Sequence, residues 1–420
     1  MIPLEIDCVR SQFQEIILSK RSVLLFGFGF IGRHVFHALR QNGVPIQAII
    51  DNDTEKQGMK YEGVPILPPL SFLGSDVPVV IGIKGNYRPI LQELNSLRLE
   101  HIIPHSFPLT LDHTIPFSSP LTWGSDSRSK QSFLKLDMIH FSNAARQLKL
   151  KESERLTLRS VDLVVTEKCS LRCADCSNLM QYFAAPRHAD FGQAIKSLDT
   201  LMGAVDFVEE LRLLGGEPFI NPELDGYVKY TLSYRNVGAI VLYTNGTVIP
   251  TETQMRALKH EKIFVVISDY GDASRKADEM ANVLWEHGIS AIMQHIETWQ
   301  DCALLRCYGR TAEENRKIFQ SCCMRNTPSV KDGKLFRCPF ASNVAALRAV
   351  PPELNQYVEL INPIESANLI QGVKGLMGLS VLKVCDYCGG RPNNAFTIPA
   401  ARQAPHPLSY TRFEEERACG

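Results

Sequence analysis

CSLRCADC, residues 169–176, follows the apolar run VDLVV and leads into SNLMQYF. An apolar run of this length that ends in polar residues predicts a buried strand delivering a loop to the edge of a sheet. The loop brings Cys169, Cys173 and Cys176 together, with no neighbouring histidine or fourth cysteine. A structural zinc wants four ligands and a closed tetrahedron, which this loop alone does not supply. An iron-sulfur cluster of the 4Fe-4S type held by three thiolates keeps one iron open to a substrate or cofactor. Zinc and chance spacing stay open as alternatives, but the unfilled position is the informative feature.

Working outward, strand-like and helix-like stretches alternate. LRSVDLVVT, EELRLLGG, GAIVLYTNG, KIFVVISDY and SAIMQHIE read as strands, and FGQAIKSLDTLMGAV and RKADEMANVLWEHG as helices between them. Buried parallel strands with crossover helices produce that rhythm. It is the rhythm of a full or partial barrel, whose upper face the strand-end residues Glu217, Thr244, Asn245, Asp269 and His295 are expected to line.

The CxxxCxxC loop resembles that of the radical S-adenosylmethionine enzymes, over about residues 156–395. The resemblance implies a central partial (β/α)6 barrel at 156–300, with S-adenosylmethionine on the open iron of a 4Fe-4S cluster. Gly215, Gly216, Glu217 and Pro218 match the family's GGEP motif, which receives the methionine amine. Thr244 and Asn245 are implied near the methionine or ribose portion, and Ser268 and Asp269 near the ribose or carboxylate. One departure is Asp175, where the family usually carries an aromatic residue before the last cysteine.

From about residue 300 the chain is less periodic and richer in Cys, Pro and Gly. Cys323, Cys338, Cys385 and Cys388 provide four thiolates, enough to close a second cluster, with Cys322 as an alternative to Cys323. Their spacing resembles the auxiliary-cluster module called a twitch domain, so a small C-terminal iron-sulfur module is expected at 301–420. A structural zinc at the same four thiolates is the competing reading. Cys302 and Cys307 are either buried core thiols or hydrogen-atom donors above the barrel mouth, with Cys419 a further thiol considered for that role.

At the other end, RSVLLFGFGFIGRHVFHALRQNGVPIQAIIDND reads strand, helix, strand. Gly27, Gly29 and Gly32 have the dinucleotide-fold spacing, and Asp51 and Asp53 follow the second strand. A Rossmann-like domain is expected at 1–115 and a linker with a bridging helix at 116–155. The opening resembles the N-terminal domain of bacterial sugar O- and N-acyltransferases, which implies a nucleotide or nucleotide-sugar ligand. In the alternative, the glycines solve a turn and a helix-packing problem and bind nothing, and Arg33 crowds the contact of an ordinary NAD site.

The 420 residues carry 45 basic and 45 acidic side chains, so bulk charge points to neither nucleic acid nor membrane. The start lacks the basic and apolar regions of a signal peptide, and cytoplasmic residence is expected. The preferred activity is an oxidoreductase that abstracts hydrogen from a sugar or nucleotide-sugar carbinol and passes an electron to the auxiliary cluster, with a flavodoxin- or ferredoxin-like donor as partner. His295 and Glu297 are the candidate bases, and Tyr270, Trp299 and Arg306 candidate sugar contacts. Radical epimerisation and peptide modification are the alternative enzyme classes; a zinc-stabilised binding protein is the non-enzymatic one.

Overall fold

The computed structural model describes residues 6–83, 87–110, 126–148, 155–362, 366–392 and 396–413, an α/β chain divided into two compact units. Cys419 and the loop-like stretch 116–125 lie outside the described residues.

The first unit comprises residues 1–118 and 130–154. Its strands are β1 (Val23–Phe26), β2 (Ile46–Ile50), β3 (Lys60–Tyr61), β4 (Val64–Leu67), β5 (Val79–Ile81) and β6 (Ile102–Ile103), in the order β3-β4-β2-β1-β5-β6. All neighbours run parallel except the β3–β4 pair. The helices are α1 (Ile6–Ser19), α2 (Phe30–Gln41), α3 (Tyr87–Ser96), α4 (Ser106–Leu109) and α5 (Ser127–Leu148). Every residue of β1 is buried, as expected for a parallel strand covered on both faces.

The glycine loop follows β1, where the strand order reverses between β2 and β5. Gly27 has φ +90°, and a Cβ on Gly32 would lie 2.1 Å from the Gly27 carbonyl oxygen, so the spacing seats α2 against the sheet. The Asp51 carboxylate accepts the Phe28 N–H at 2.7 Å and the Asp53 N–H at 2.9 Å, with Lys56 Nζ 3.3 Å away. Both oxygens of the expected ribose acceptor are thus engaged by the chain itself.

The segment expected to link domains belongs in large part to this unit. Leu134, Met138, Phe141 and Ala145 recur at helical spacing along α5 and join the first unit's core, so from Lys130 onward the helix is structural.

The second unit comprises residues 119–129 and 155–420. Strands β7 (Thr157–Thr166), β8 (Phe207–Gly215), β9 (Val237–Thr244), β10 (Ile263–Asp269) and β11 (Ser290–His295) are successive parallel neighbours. Helices α6 (Phe191–Ala204), α7 (Leu224–Thr231), α8 (Glu252–Leu258) and α9 (Ala277–Glu286) connect them. The remaining elements are β12 (Thr298–Gln300), α10 (Ala312–Ser321), β13 (Ser329–Lys331), β14 (Lys334–Phe336), α11 (Pro339–Leu347), β15 (Tyr357–Glu359), α12 (Ser366–Gly378) and β16 (Thr397–Pro399).

Among the described residues the sheet order is β11-β10-β9-β8-β7-β13-β14-β15. The sixth parallel strand is therefore not the next in sequence after β11; β13 pairs in parallel with the other edge, at β7. An open β7 edge would leave a row of backbone groups unpaired, and the β13–β14 hairpin fills it. The region after residue 300 consequently extends the central sheet and shares one compact unit with it, instead of forming a separate domain. It also has a modest apolar cluster of its own, around Phe319, Phe336, Phe340, Val344 and Val384.

Candidate functional site

A cavity of about 350 Å³ opens in the second unit where β7, β8, β9 and β10 end. Cys169, Cys173 and Cys176 line it, facing Gly215, Gly216, Thr244, Asn245 and Ser268 from the neighbouring strand ends. The loop and the GGEP turn are built on each other. Gly216 N–H donates to the Thr166 carbonyl at 2.9 Å and Glu217 N–H to the Lys168 carbonyl at 2.8 Å. A Cβ on Gly216 would sit 2.1 Å from the Lys168 carbonyl oxygen, which is why only glycine fits there.

A second brace comes from far along the chain. Ala174 N–H donates to the Arg402 carbonyl and Ala404 N–H to the Arg172 carbonyl, each at 2.7 Å. Gln403 Nε2 donates to the Cys173 sulfur at 3.3 Å, and Asn245 Nδ2 to the Cys169 sulfur at 3.5 Å. Burial pushes the Cys169 thiol up to about 12 and the Cys173 thiol up to about 11. Such thiols ionise readily only when a metal takes the place of the proton.

The Glu217 carboxylate points into the protein. It accepts from Phe219 N–H at 3.1 Å, Asn245 N–H at 2.8 Å and the Thr244 hydroxyl at 2.9 Å, tying the end of β8 to that of β9. Burial raises its pKa to about 7, against the lowering effect of those hydrogen bonds. The buried Pro218 opens the next turn. Tyr270 and Trp299 line the cavity, their rings packed edge to face at 5.2 Å, and the β12–β16 ribbon carries Trp299 there.

His295 and Glu297 do not line this cavity. His295 Nδ1 lies 2.5 Å from Asp269 Oδ2 and its ring is half exposed, while Glu297 is exposed. Asp269 is spent on His295 and on the Gly271 N–H, and Arg306 lies over the Tyr308 ring, 4.4 Å from its centroid.

A second, smaller cavity of about 40 Å³ is lined by Cys302, Cys322, Cys338, Cys385 and Cys388 with Phe319, Phe340 and Leu382. Cys322 caps the end of α10, Cys338 starts α11, and Cys385 and Cys388 flank one tight turn. Cys323 is exposed, 3.9 Å from Gln300 Oε1, and lies outside this lining, whereas Cys322, the alternative to it, is part of the lining. Buried Cys302 accepts from Arg391 Nε at 3.0 Å, and exposed Cys307 donates to Asp386 Oδ2 at 3.3 Å. Arg391, Ser177 and Met324 line both cavities, so the two share a wall.

All described cysteines are unpaired thiols. Among the described residues no three His, Cys, Asp or Glu side chains close on one point as a single ion requires. Each of the two cavities carries a set of thiols on its wall, the donor type that iron-sulfur clusters take.

Sequence reading missed the polar base of the larger cavity, formed by Asp162, Arg212 and Tyr243. Their signal was present: Asp162 interrupts VDLVV and Arg212 interrupts LRLLGG, charges inside otherwise apolar strands. Asp162 is 2% exposed, and Arg212 Nη1 stands 3.7 Å from its Oδ1. Arg212 Nε donates to the Glu210 carboxylate.

No protein-family model and no curated protein matches the chain. Among solved structures it is similar to BtrN in complex with AdoMet and 2-DOIA, at 16% identity over 56% of this chain and 93% of that one, TM-score 0.34. It is also similar to anSMEcpe with bound AdoMet and Cp18Cys peptide, at 12% identity over 53% and 83%, TM-score 0.37. The likeness to Streptococcus suis SuiB has 18% identity and spans only 36% of each chain, TM-score 0.28. No helix among the described residues is long and apolar enough to cross a membrane.

Proposed function

We propose that the chain is a radical S-adenosylmethionine oxidoreductase acting on a sugar or nucleotide-sugar carbinol, with an auxiliary cluster as electron acceptor. In this reading β7–β11 form a shortened radical barrel, and the segments around the second cavity act as a twitch-like module. The observation that carries it is the pair of cysteine-lined cavities sharing the Arg391 wall, one with three loop cysteines and an open interior, the other closely lined. Bound there, a 4Fe-4S cluster with S-adenosylmethionine supplies a 5'-deoxyadenosyl radical, and a second 4Fe-4S cluster supplies the acceptor.

The chain's own residues do the rest. Cys169, Cys173 and Cys176 hold the first cluster; Cys322, Cys338, Cys385 and Cys388 hold the second. The backbone of the Gly215–Gly216 turn, Asn245 and Ser268 receive the polar ends of S-adenosylmethionine, and Tyr270 and Trp299 keep water from the target carbon. Oxidation is favoured over epimerisation because Cys302 lines the second cavity and Cys307 is exposed and held by Asp386, so neither thiol faces the larger cavity. A nucleotide ligand of the first unit, taken by itself, rests on the glycine loop alone, since Asp51 is engaged internally. A flavodoxin- or ferredoxin-like protein delivers the first electron.

The test is anaerobic reconstitution with iron and sulfide, reduction, and mass spectrometry of products with S-adenosylmethionine and a pool of nucleotide-sugars. Brown protein and 5'-deoxyadenosine formed in step with one sugar losing two hydrogens are expected. A colourless zinc protein, or no 5'-deoxyadenosine, overturns the reading.

A further inference from the structure

We infer that Asp162 is the group that takes the hydroxyl proton of the substrate, and that the Asp162–Arg212 base of the larger cavity is built for a polyhydroxylated ring. The inference rests on the oxidoreductase reading for its reaction, and on the cavity alone for its binding site.

Asp162 sits midway along β7, in register with Ser329 of β13 and Arg212 of β8, and its side chain lines the cavity that the three loop cysteines also line. At 2% exposure, its Oδ1 accepts no hydrogen bond from the described residues. A buried carboxylate oxygen left without a donor is costly, and a ligand O–H arriving in the cavity removes that cost. The obvious internal partner is already committed: Arg212 Nε is held by Glu210, which leaves Nη1 at 3.7 Å from Asp162, beyond hydrogen-bond reach. Glu210 fixes Arg212, and Arg212 presents its outer nitrogens beside an acid it does not close upon.

The groups facing Asp162 are Arg212 and Glu210 from β8, Tyr243 from β9, and Arg391 from the C-terminal segment. Donors, an acceptor and an aromatic ring around one pocket match alternating hydroxyls on a ring with an apolar face. Burial, outweighing the two arginines, lifts the acid to about 7, which suits a group that must be ionised before the reaction and protonated after it.

The step balances as follows for a secondary carbinol. Asp162 takes the proton as the O–H bond breaks; the carbon-bound hydrogen leaves as an atom to the 5'-deoxyadenosyl radical; one electron leaves to the iron-sulfur acceptor. The carbinol becomes a carbonyl with two hydrogens lost. His295 and Glu297, outside the cavity, are not needed.

The test uses the full chain with reconstituted clusters and S-adenosylmethionine, and myo-inositol, glucosamine, glucose 6-phosphate and UDP-glucose as probes. Binding is read by saturation-transfer NMR, and turnover by mass spectrometry with probes deuterated at ring carbons. At least one probe is expected to bind, with affinity reduced tenfold or more in Asp162→Asn and partly restored in Asp162→Glu. In Asp162→Asn, deuterium still enters 5'-deoxyadenosine while the carbonyl product falls about a hundredfold or more. If Asp162→Asn does not fold, the wild-type pH profile decides: carbonyl formation rises about tenfold per unit below about 7 and is flat above it.

No probe bound by the wild type, binding without loss of two hydrogens, equal behaviour of Asp162→Asn, or a flat pH profile overturns the inference. The underlying reading is scored separately by 5'-deoxyadenosine from the reduced wild type with S-adenosylmethionine alone. Its formation with no probe bound leaves that reading standing and sinks this inference. Its absence, with probe binding that depends on Asp162, sinks the reaction and leaves the polyol site.

Discussion

The two units both end parallel strands in glycine-containing turns, yet they spend their strand-end polar groups differently. In the first, Asp51 folds back onto the N–H groups of Phe28 and Asp53 and onto Lys56, and Gly32 exists to let α2 touch the β1 turn. In the second, Glu217 is likewise consumed internally, but the Gly215–Gly216 backbone, Asn245 and Ser268 still face a cavity with three cysteines on its wall. A glycine spacing therefore reports close backbone approach. Whether a site results depends on what the chain leaves unpaired beside it.

The comparison is broken most severely by removing the thiols. Replacing Cys169, Cys173 and Cys176 together by alanine is expected to abolish 5'-deoxyadenosine formation and the iron bound by the first site, as iron analysis and mass spectrometry will show, while far-ultraviolet circular dichroism is retained.

Gly216→Ala comes next. Its Cβ meets backbone, the Lys168 carbonyl at 2.1 Å, so relief requires moving the cysteine loop. A loss of about 3 kcal/mol in denaturant unfolding is expected, together with reduced iron loading. A loss under about 0.5 kcal/mol would show that the two turns are not interlocked.

Cys322→Ser and Cys323→Ser separate adjacent residues. The first is expected to lose the iron and visible absorption of the second cluster, and the second to retain them, because Cys322 lines the cavity and Cys323 is exposed. The reverse result would restore the ligand set expected from spacing alone.

A smaller effect concerns pH. The Asp162 carboxyl is raised from 3.8 to about 7 on folding, so between those values the folded chain binds more protons than the unfolded one. Stability from this group therefore falls as pH rises through that window, and the full penalty is present above about 7. Asp162→Asn removes the penalty, and its Tm relative to wild type is expected to be higher at pH 8 than at pH 4 by about 2 °C or more. Calorimetry of both proteins at both values checks the sign.

The smallest effect belongs to the first unit. Asp51→Asn weakens two backbone hydrogen bonds and the Lys56 pair without opening a hole, for a loss of about 1 kcal/mol. A much larger loss would make the first unit's strand end as interdependent as the second's.

Much of this was legible in the chain. SVLLF, VDLVV and KIFVVIS are apolar because their strands are covered on both faces, and CSLRCADC sits directly after one of them, so its position at a strand end follows from local pattern alone. The GGEP turn was readable only through the family resemblance, as a motif at a strand end. The charges of Asp162 and Arg212 were visible inside otherwise apolar strands, but a lone charge does not say whether it faces a cavity or a partner.

The amino-acid sequence by itself determined the strand and helix rhythm and the cysteine loop at the end of β7, because each depends on residues within a few positions of one another. Only the tertiary structure decided that β13 pairs with β7, that Gln403 reaches Cys173 and that Arg391 stands between the two cavities. It also decided that Cys322 faces inward where Cys323 is exposed: neighbours along an extended chain point to opposite sides, and only the surrounding packing says which side is the interior.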